Sequence, residues 1–325
     1  MRRRDFITLL GGPAAWPLAA RAQQAGMPVV AYIGGGSLDP RRAAAFRKGL
    51  NDTGYVEGQN VTVEYHLLEG QYDRLPSLIA DLVRRGVAVI ATPGSNPAAL
   101  AAKAATATIP IVFGVGDDSA RMGLVESLAR PGGNATGVNF FVAEVLPKRL
   151  GLLHELVPRA VRIAVLVNPG NASTAEAVRR DLPQAARALG LELQILEAGT
   201  SREIEAAFAT LVRGRADALF VGPDGFFVSR RVQFATLAAR HGIPAAHTIR
   251  EEAEAGGLMS YGTESQDVFR QVGVYTGQIL KGAKPADLPV LRSTKFEFVI
   301  NLQTARALGL EVPNSLQLLA DALIE

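Results

Sequence analysis

The sequence predicts an α/β protein of two doubly wound parallel-sheet lobes, and three observations lead to this prediction. Short apolar runs alternate with amphipathic helical patterns, which indicates parallel strands covered by helices on both faces. The order strand, polar turn, amphipathic helix, Arg-Gly turn and apolar strand occurs at 60–94 and again at 191–224. The length of 325 residues, of which 48% are hydrophobic and 20% charged, suffices for two cores.

The elements of the first half follow from apolar runs and from the turn residues between them. Runs of Val, Ile and Ala bounded by Gly, Pro, Asn or Asp are typical of buried strands, whereas apolar residues recurring every three or four positions predict helices. Leu75, Leu78, Ile79 and Leu82 form one such helical face. We predict strands at 29–34, 61–67, 87–91, 109–113 and 135–139, and helices at 40–52, 72–85 and 96–106.

The alternation restarts in the second half, beginning with an apolar run at 162–167 that ends in Asn-Pro-Gly-Asn. The matched order of loop types in the two halves favours a two-lobed protein over a single sheet. We predict strands at 162–167, 191–196, 218–221, 243–247 and 258–261, and helices at 174–189, 201–212 and 229–241.

The charge distribution gives no reason to expect a nucleic-acid partner. The formal net charge is +3, but four of the 34 basic and one of the 31 acidic residues lie within 1–22, which leaves 30 of each in the remainder. A chain without net charge has no general attraction for a polyanion. The sequence contains no cysteine, which excludes disulfides and thiolate chemistry.

Residues 1–22 are predicted to be an export signal that is cleaved after Ala22, leaving a periplasmic protein. Three arginines precede a modestly apolar stretch at 6–20, and the small-residue pattern A-x-A follows at 20–22. The stretch is shorter than the roughly 20 apolar residues of a spanning helix. The run R-R-D-F-I at 3–7 resembles the twin-arginine export motif, and a general secretion signal with an arginine-rich start is the alternative.

Five loops rich in Gly, Ser, Asn, Asp and Pro follow predicted strands, and a ligand is expected there. In open parallel sheets, ligands bind beyond the carboxyl ends of the strands. The loops lie at 34–37, 92–96, 114–117, 168–173 and 222–225, three in one half and two in the other, so facing halves would line one cleft. The candidate ligand-binding residues are Tyr32, Gly36, Ser37, Thr92, Ser95, Asn96, Gly116, Asp117, Asn168, Asn171, Ser173, Asp224, Phe226 and Tyr261.

Two kinds of charge recognition are open to these loops. Ser95 and Asn96 precede Pro97, the pattern of a helix start, where free N–H groups and the helix dipole favour a carboxylate; plain helix capping is the alternative. Asp224 and Asp117 follow predicted strands and could accept a ligand ammonium or hydroxyl, or could serve as turn and cap carboxylates.

Aromatic residues near strand ends allow a second interpretation of the same loops. Tyr32, Phe140, Phe226 and Tyr261 could form an aromatic box around the ligand. Packing in the hydrophobic core is the alternative, and it is the commoner fate of aromatic side chains at such positions.

Enzyme signatures are missing from the sequence. The run Gly34-Gly35-Gly36 does not extend to G-x-G-x-x-G, and no P-loop pattern exists. His154 and Glu155 lack the second histidine of H-E-x-x-H, and no G-x-S-x-G nucleophile elbow is present. The four histidines are scattered. We therefore expect no enzyme activity, no catalytic residue, no metal and no cofactor.

The whole chain resembles a broad group of bacterial ABC-transporter substrate-binding proteins, the TrpX-like group of type I periplasmic binding proteins. Both ends of the predicted signal and seven later segments, in the right order, carry this resemblance. The segments lie at 5–12, 20–23, 46–50, 54–60, 109–113, 130–137, 167–169, 257–262 and 299–305.

The resemblance implies two α/β lobes that are joined by three crossovers and close around a small ligand. Aromatic amino acids or related aromatic carboxylates are the ligands it implies, held by the loops named above. With crossovers near residues 139, 261 and 290, the expected first lobe comprises 27–139 and 262–289, and the second comprises 140–261 and 290–325.

The leading functional prediction is the solute-binding component of an ABC importer, with permease and ATPase subunits at the inner membrane as partners and a monomeric state. A periplasmic sensor for a membrane receptor is the alternative that the sequence leaves open. The effector domain of a transcription regulator is less favoured, because the predicted signal occupies the place of its DNA-binding segment. An enzyme is the least favoured class.

Overall fold

The computed structural model describes residues 26–325. The predicted export signal and its cleavage after Ala22 lie outside the described residues and stay predictions. Within 26–325 the chain forms two mostly parallel sheets with helices between the strands, which confirms the predicted fold class.

The strands and helices follow one another along the chain with short connections. In order, the strands are β1 (Val29–Gly34), β2 (Thr62–Leu67), β3 (Val89–Pro93), β4 (Ile111–Val115), β5 (Ala135–Asn139), β6 (Arg162–Val167), β7 (Glu192–Glu197), β8 (Ala218–Val221), β9 (Ala245–His247), β10 (Met259–Thr263), β11 (Leu291–Arg292), β12 (Phe296–Asn301) and β13 (Ala322–Ile324). The α-helices are α1 (Pro40–Asp52), α2 (Leu75–Arg85), α3 (Asn96–Ala105), α4 (Val142–Leu156), α5 (Ala172–Ala188), α6 (Ser201–Arg213), α7 (Gly225–Ser229), α8 (Arg231–His241), α9 (Arg250–Glu254), α10 (Ser265–Leu280), α11 (Leu302–Ala307) and α12 (Asn314–Leu319).

Each sheet forms the centre of one lobe. The first sheet has six parallel strands in the order β11-β5-β4-β3-β1-β2. The second has seven strands in the order β13-β12-β10-β9-β8-β6-β7, parallel except between β10 and β12. All residues of β3, β4 and β5 are buried, which requires helices on both faces of the sheet.

Two strands of the first sheet begin two residues later than predicted. Before β3, the N–H of Val87 still bonds the carbonyl oxygen of Leu82 in α2, at 3.4 Å. Before β4, the N–H of Ile109 bonds the hydroxyl of Thr106 at 3.1 Å. These turn contacts hold the first apolar residues of each run outside the ladder.

Helix α10 follows a strand of the second sheet but returns to the first lobe, where it packs along α1. Val268, Phe269 and Val272 of α10 share a buried cluster with Phe46 and Leu50 of α1. The helices approach closely because glycines face one another at the contact. This return places the start of α10 beside the carboxyl ends of the first sheet.

Three crossovers connect the lobes and are hydrogen-bonded to one another. They follow β5, β10 and β11. The second crossover begins after Thr263, the last residue of β10, and the third begins after β11, which pairs with β5 in the first sheet. Both lie two to three residues beyond the predicted positions. The hydroxyl of Thr263 donates to the carbonyl of Phe140 at 2.9 Å, and the N–H of Ser293 donates to that of Asn139 at 2.9 Å. Movement of the two lobes about these segments remains our proposal.

Candidate functional site

A cavity lies between the carboxyl ends of the two sheets. Clefts at the carboxyl ends of parallel strands are common places for small-molecule ligands. Its wall combines residues of both lobes and of the crossovers. The lining residues are Arg42, Gly94, Asn96, Gly116, Phe140, Val142, Asn171, Thr174, Pro223, Asp224, Gly225, Val228, Thr248, Ile249, Thr263, Ser265, Val268 and Phe269.

Asn96 joins the two lobes at one end of the cavity. It is the first residue of α3, where the capping hydroxyl of Ser95 accepts a hydrogen bond from the N–H of Ala98 at 3.4 Å. The amide nitrogen of Asn96 lies 2.7 Å from the carboxylate of Asp117 and 3.2 Å from the hydroxyl of Thr174 in the second lobe. The side chain of Asn96 therefore connects the two lobes through these hydrogen bonds.

Asp117 is buried behind Asn96. Its Oδ2 accepts hydrogen bonds from Asn96 and from the hydroxyl of Thr174, the latter at 3.2 Å. Its Oδ1 has no hydrogen-bond partner within the described part of the chain. Burial raises the pKa of this carboxyl, while the hydrogen bonds from Thr174 and Asn96 act in the opposite direction.

Asp224 is the second buried carboxylate of the site, and its acceptor positions are filled. Its two oxygens accept hydrogen bonds from Asn168 at 2.9 Å, Asn171 at 3.1 Å, the N–H of Phe226 at 3.0 Å and the hydroxyl of Tyr72 at 3.1 Å. Burial raises the pKa of Asp224. An ionised carboxylate offers about four lone-pair sites, so these donors satisfy it.

Arg42 places a positive charge at the cavity, although it lies outside the loops in which ligand-binding residues were predicted. The side chain of Asp39 caps α1 by accepting from the N–H groups of Arg41 and Arg42, which fixes Arg42 in the first turn. Its guanidinium lies 5.2 Å from the ring centroid of Phe269. Its Nε is buried and has no hydrogen-bond partner among residues 26–325. A ligand anion could satisfy this group.

The rest of the lining is largely apolar. Phe140 and Phe269 contribute aromatic rings, and Val142, Val228 and Val268 contribute aliphatic surface. A cation at the edge of an apolar cavity suits a small ligand that carries an acidic group on an apolar body.

The structure brings four of the predicted ligand-binding residues to the cavity and places others beside it. Asn96, Gly116, Asn171 and Asp224 line the cavity. Asp117, Ser173 and Asn168 contact these residues through hydrogen bonds. Tyr32, Gly36 and Ser37 line an adjoining recess, which shares Arg42 and Phe269 with the main cavity.

Thr92, Ser95, Phe226 and Tyr261 line neither the cavity nor the adjoining recess. Phe226 packs against Phe227, with ring centroids 6.0 Å apart, and Tyr261 packs against Phe296 and Phe298. Tyr32 packs against Phe46 and Tyr65 in the first lobe. These rings belong to separate clusters, which favours the core alternative over an aromatic box.

Several lining residues were missed by sequence reasoning. Thr248 and Ile249 follow β9, and Val268 and Phe269 lie on α10. The loop after β9 was detectable in principle, since it too leaves the carboxyl end of a parallel strand. Within residues 26–325, no group of three or more His, Asp or Glu side chains could hold a metal ion. No helix of that part is long and apolar enough to cross a membrane.

Comparisons with known proteins agree with this architecture. The sequence model of the family described as ABC transporter substrate binding protein matches residues 27–324. A Clostridioides difficile (strain R20291) protein named tyrosine-binding protein is 29% identical over 275 residues, which cover 85% of this chain and 78% of that protein. The structure of an ABC domain in complex with L-Trp from Streptococcus pneumoniae is 25% identical, with a TM-score of 0.79, and the match covers 91% of this chain and 99% of that chain.

A second similar structure is that of a ligand-free protein in an open form. The ligand-free, open structure of a Clostridium difficile substrate-binding protein with adhesive properties is also 25% identical and covers 92% of this chain and 99% of that chain. Its TM-score is 0.60, below the 0.79 of the L-Trp complex. At equal sequence identity, the structure described here is thus more similar overall to the complex than to the open structure.

Proposed function

We propose that this chain, which belongs to the ABC transporter substrate-binding protein family, captures a small organic carboxylate with an apolar or aromatic body, such as an aromatic amino acid. Membership of this family of solute-binding proteins also agrees with the expectation that the chain is not an enzyme. The ligand would bind in the cavity between the sheets.

The guanidinium of Arg42 in a largely apolar cavity is the observation that carries this proposal. Its buried Nε lacks a hydrogen-bond partner in the described chain, and its planar fork suits a carboxylate. The rings of Phe140 and Phe269 would contact the apolar body. The helix start at Ser95 is a weaker anion site than the sequence suggests, because Ser95 and Asn96 already have partners.

An amino group on the ligand would find one unpartnered acceptor in the cavity wall and a second one buried behind it. The Oδ1 atoms of Asn171 and Asp117 are buried and have no hydrogen-bond partner in the described chain. Asn171 lines the cavity, and Asp117 lies directly behind Asn96. Asp224, which the sequence also offered for this role, is occupied by four donors and fits its alternative as a cap and turn carboxylate.

The ligands of two relatives support the same chemistry. One relative is named a tyrosine-binding protein, and the solved structure from Streptococcus pneumoniae contains L-Trp. Both ligands pair a carboxylate and an ammonium group with an aromatic body.

The transport role and location form the second part of the proposal. We infer delivery of the ligand to permease and ATPase subunits of an ABC importer by a periplasmic monomer. The export-signal pattern at 1–22 and the family of the chain support this inference.

Fluorescence titration tests the proposed ligand class. The only tryptophan of the chain is Trp16, so a protein that begins after Ala22 contains none and added tryptophan supplies the signal. We expect micromolar binding, which corresponds to about −8 kcal/mol, and displacement by phenylalanine, tyrosine or benzoate-type acids. Branched-chain amino acids, sugars and nucleosides complete the panel. Binding of a sugar or nucleoside with no response to any carboxylate would contradict the proposal.

A further inference from the structure

Tyr72 crosses the gap between the lobes without lining the cavity. It begins a single 3₁₀ turn, Tyr72–Arg74, that precedes α2 in the first lobe. Its hydroxyl donates a hydrogen bond of 3.1 Å to Oδ2 of Asp224, at the carboxyl end of β8 in the second lobe. The bond therefore exists only while the two lobes are close together.

The ring of Tyr72 fits between glycines of both lobes. A Cβ on Gly35 of the first lobe would lie 2.9 Å from the Tyr72 hydroxyl oxygen, and a Cβ on Gly170 of the second lobe would lie 2.8 Å from Cδ2 of its ring. A side chain at either position would push the ring away. The contact surface is thus shaped for this ring in the closed arrangement.

Three of the four hydrogen-bond donors to Asp224 belong to the second lobe, and one belongs to the first. Asn168, Asn171 and the N–H of Phe226 belong to the second lobe and stay with Asp224 when the lobes part. Tyr72 is the donor that comes from the first lobe. Burial, together with the charge of Asp224, raises the pKa of the Tyr72 hydroxyl, so it remains protonated and able to donate at neutral pH.

We propose that Tyr72 is a positioning residue that sets ligand affinity by stabilising the closed arrangement through Asp224, without contacting the ligand. The proposal rests on the proposed function, because affinity is coupled to closure only if the ligand binds the closed state better. A ligand's apparent affinity scales with the population of the competent state. Loss of the Tyr72 hydroxyl should then lower affinity and closed population by the same factor.

The chain offers a matched control for removing one tyrosine hydroxyl. Tyr65 also donates to a carboxylate, Glu57, at 3.1 Å, but both residues belong to the first lobe. Tyr72→Phe should weaken tryptophan binding about tenfold or more, because it removes a hydrogen bond to a charged group. The loss should appear as faster dissociation with an unchanged association rate. Tyr65→Phe should leave both rates near those of the wild type.

A distance measurement on ligand-free protein tests the proposal independently of any ligand. The sequence has no cysteine, so spin labels can be attached at cysteines introduced for Gln59 and Arg159, which are exposed and lie near the amino edges of the two sheets. We expect a smaller closed population in Tyr72→Phe than in Tyr65→Phe. Equal closed populations, or equal tryptophan affinities, in the two variants would contradict the proposed role of Tyr72. If Tyr72→Phe has a reduced closed population but the wild type binds no carboxylate, the proposed role of Tyr72 is supported and the proposed function is contradicted.

Discussion

The guanidinium carbon of Arg42 lies 5.2 Å from the ring centroid of Phe269, and both side chains line the cavity between the two sheets. Arg42 belongs to α1 and Phe269 to α10, which are more than 200 residues apart in the sequence. Their contact depends on the return of α10 to the first lobe. Packing of this one helix pair therefore brings Arg42 and Phe269 together at the cavity.

Close packing of that helix pair gives the first prediction. A Cβ at Gly273 would overlap the backbone oxygen of Phe46, so Gly273→Ala must separate α10 from α1. We expect a loss of about 1–3 kcal/mol in the free energy of unfolding, together with weaker ligand binding. Gly151→Ala in α4 is the control, because nothing lies within 4 Å of a Cβ there. It should be neutral or stabilise by about 0.5–1 kcal/mol. Urea denaturation showing equal effects would contradict the packing argument.

The buried carboxyl of Asp117 gives a prediction on pH. Burial raises its pKa in the folded protein, so the folded state binds more protons than the unfolded state between the ordinary value, about 3.9, and the raised one. Its contribution to stability is thus present at low pH and is lost as the pH rises through the raised pKa. The stability of the wild type relative to Asp117→Asn should therefore increase as the pH falls from 7 toward about 4.

Asp217 provides a control of opposite sign. Hydrogen bonds from the N–H groups of Arg162 and then Val161 lower its pKa, against a smaller effect of burial. Its contribution is present above the unfolded pKa, and the advantage of the wild type over Asp217→Asn should decrease below about pH 4. Urea denaturation gives the stability difference between the wild type and each variant at each pH. If this difference changes with pH in the same direction for Asp117→Asn and Asp217→Asn, the two assigned pKa shifts are contradicted.

A fully buried arginine behind the cavity wall gives the third prediction. Arg149 of α4 donates to the hydroxyl of Thr248 at 2.9 Å and to the carbonyl of Val221 at 3.1 Å, with its guanidinium 4.2 Å from the ring centroid of Phe220. Burial lowers the pKa of Arg149 to about 10. Since Thr248 lines the cavity, Arg149 positions part of its wall.

Removal of the Arg149 guanidinium should affect both stability and binding. We expect Arg149→Met to lower the free energy of unfolding by about 1–3 kcal/mol, because the carbonyl of Val221 and the hydroxyl of Thr248 lose their partner in a buried place. Tryptophan affinity should fall as well. Lys148→Met, at the exposed neighbouring position, should change neither quantity by more than about 0.5 kcal/mol. Calorimetric titration and urea denaturation give both numbers.

The sequence predicts most elements of the first three-quarters of the fold because they are locally encoded, but it does not predict α4 or the short helices α7 and α9. The ranges of β1, α1, β5, β6 and β8 agree with the predicted bounds, since polar turn residues follow each apolar run. Helix α10 was not predicted. It contains Gly273 and Gly277, which disfavour a helix locally and are explained only by close contacts with α1 and with Thr53 after it.

The site was predictable where it depends on strand ends and not where it depends on helix packing. Asn96, Asn171 and Asp224 were found because they follow parallel strands, whose carboxyl ends meet at the cleft. Arg42 and Phe269 come from helices whose faces toward the cavity are set by tertiary packing. The bridging roles of Asn96 and Asp224 depend on partners in the other lobe, which no local pattern reveals.

Binding of a carboxylate at Arg42 is the central claim, and one measurement tests it most directly. The affinities of tryptophan and tryptophanamide, which differ in the carboxylate, are compared for the wild type, Arg42→Gln and Arg47→Gln, the last a control on the outer part of the same helix. We predict a preference for tryptophan of about 10- to 150-fold in the wild type and in Arg47→Gln, the range expected of a hydrogen bond to a charged group. In Arg42→Gln that preference should fall to near unity. An undiminished preference in Arg42→Gln would show that the carboxylate binds elsewhere and would contradict the account.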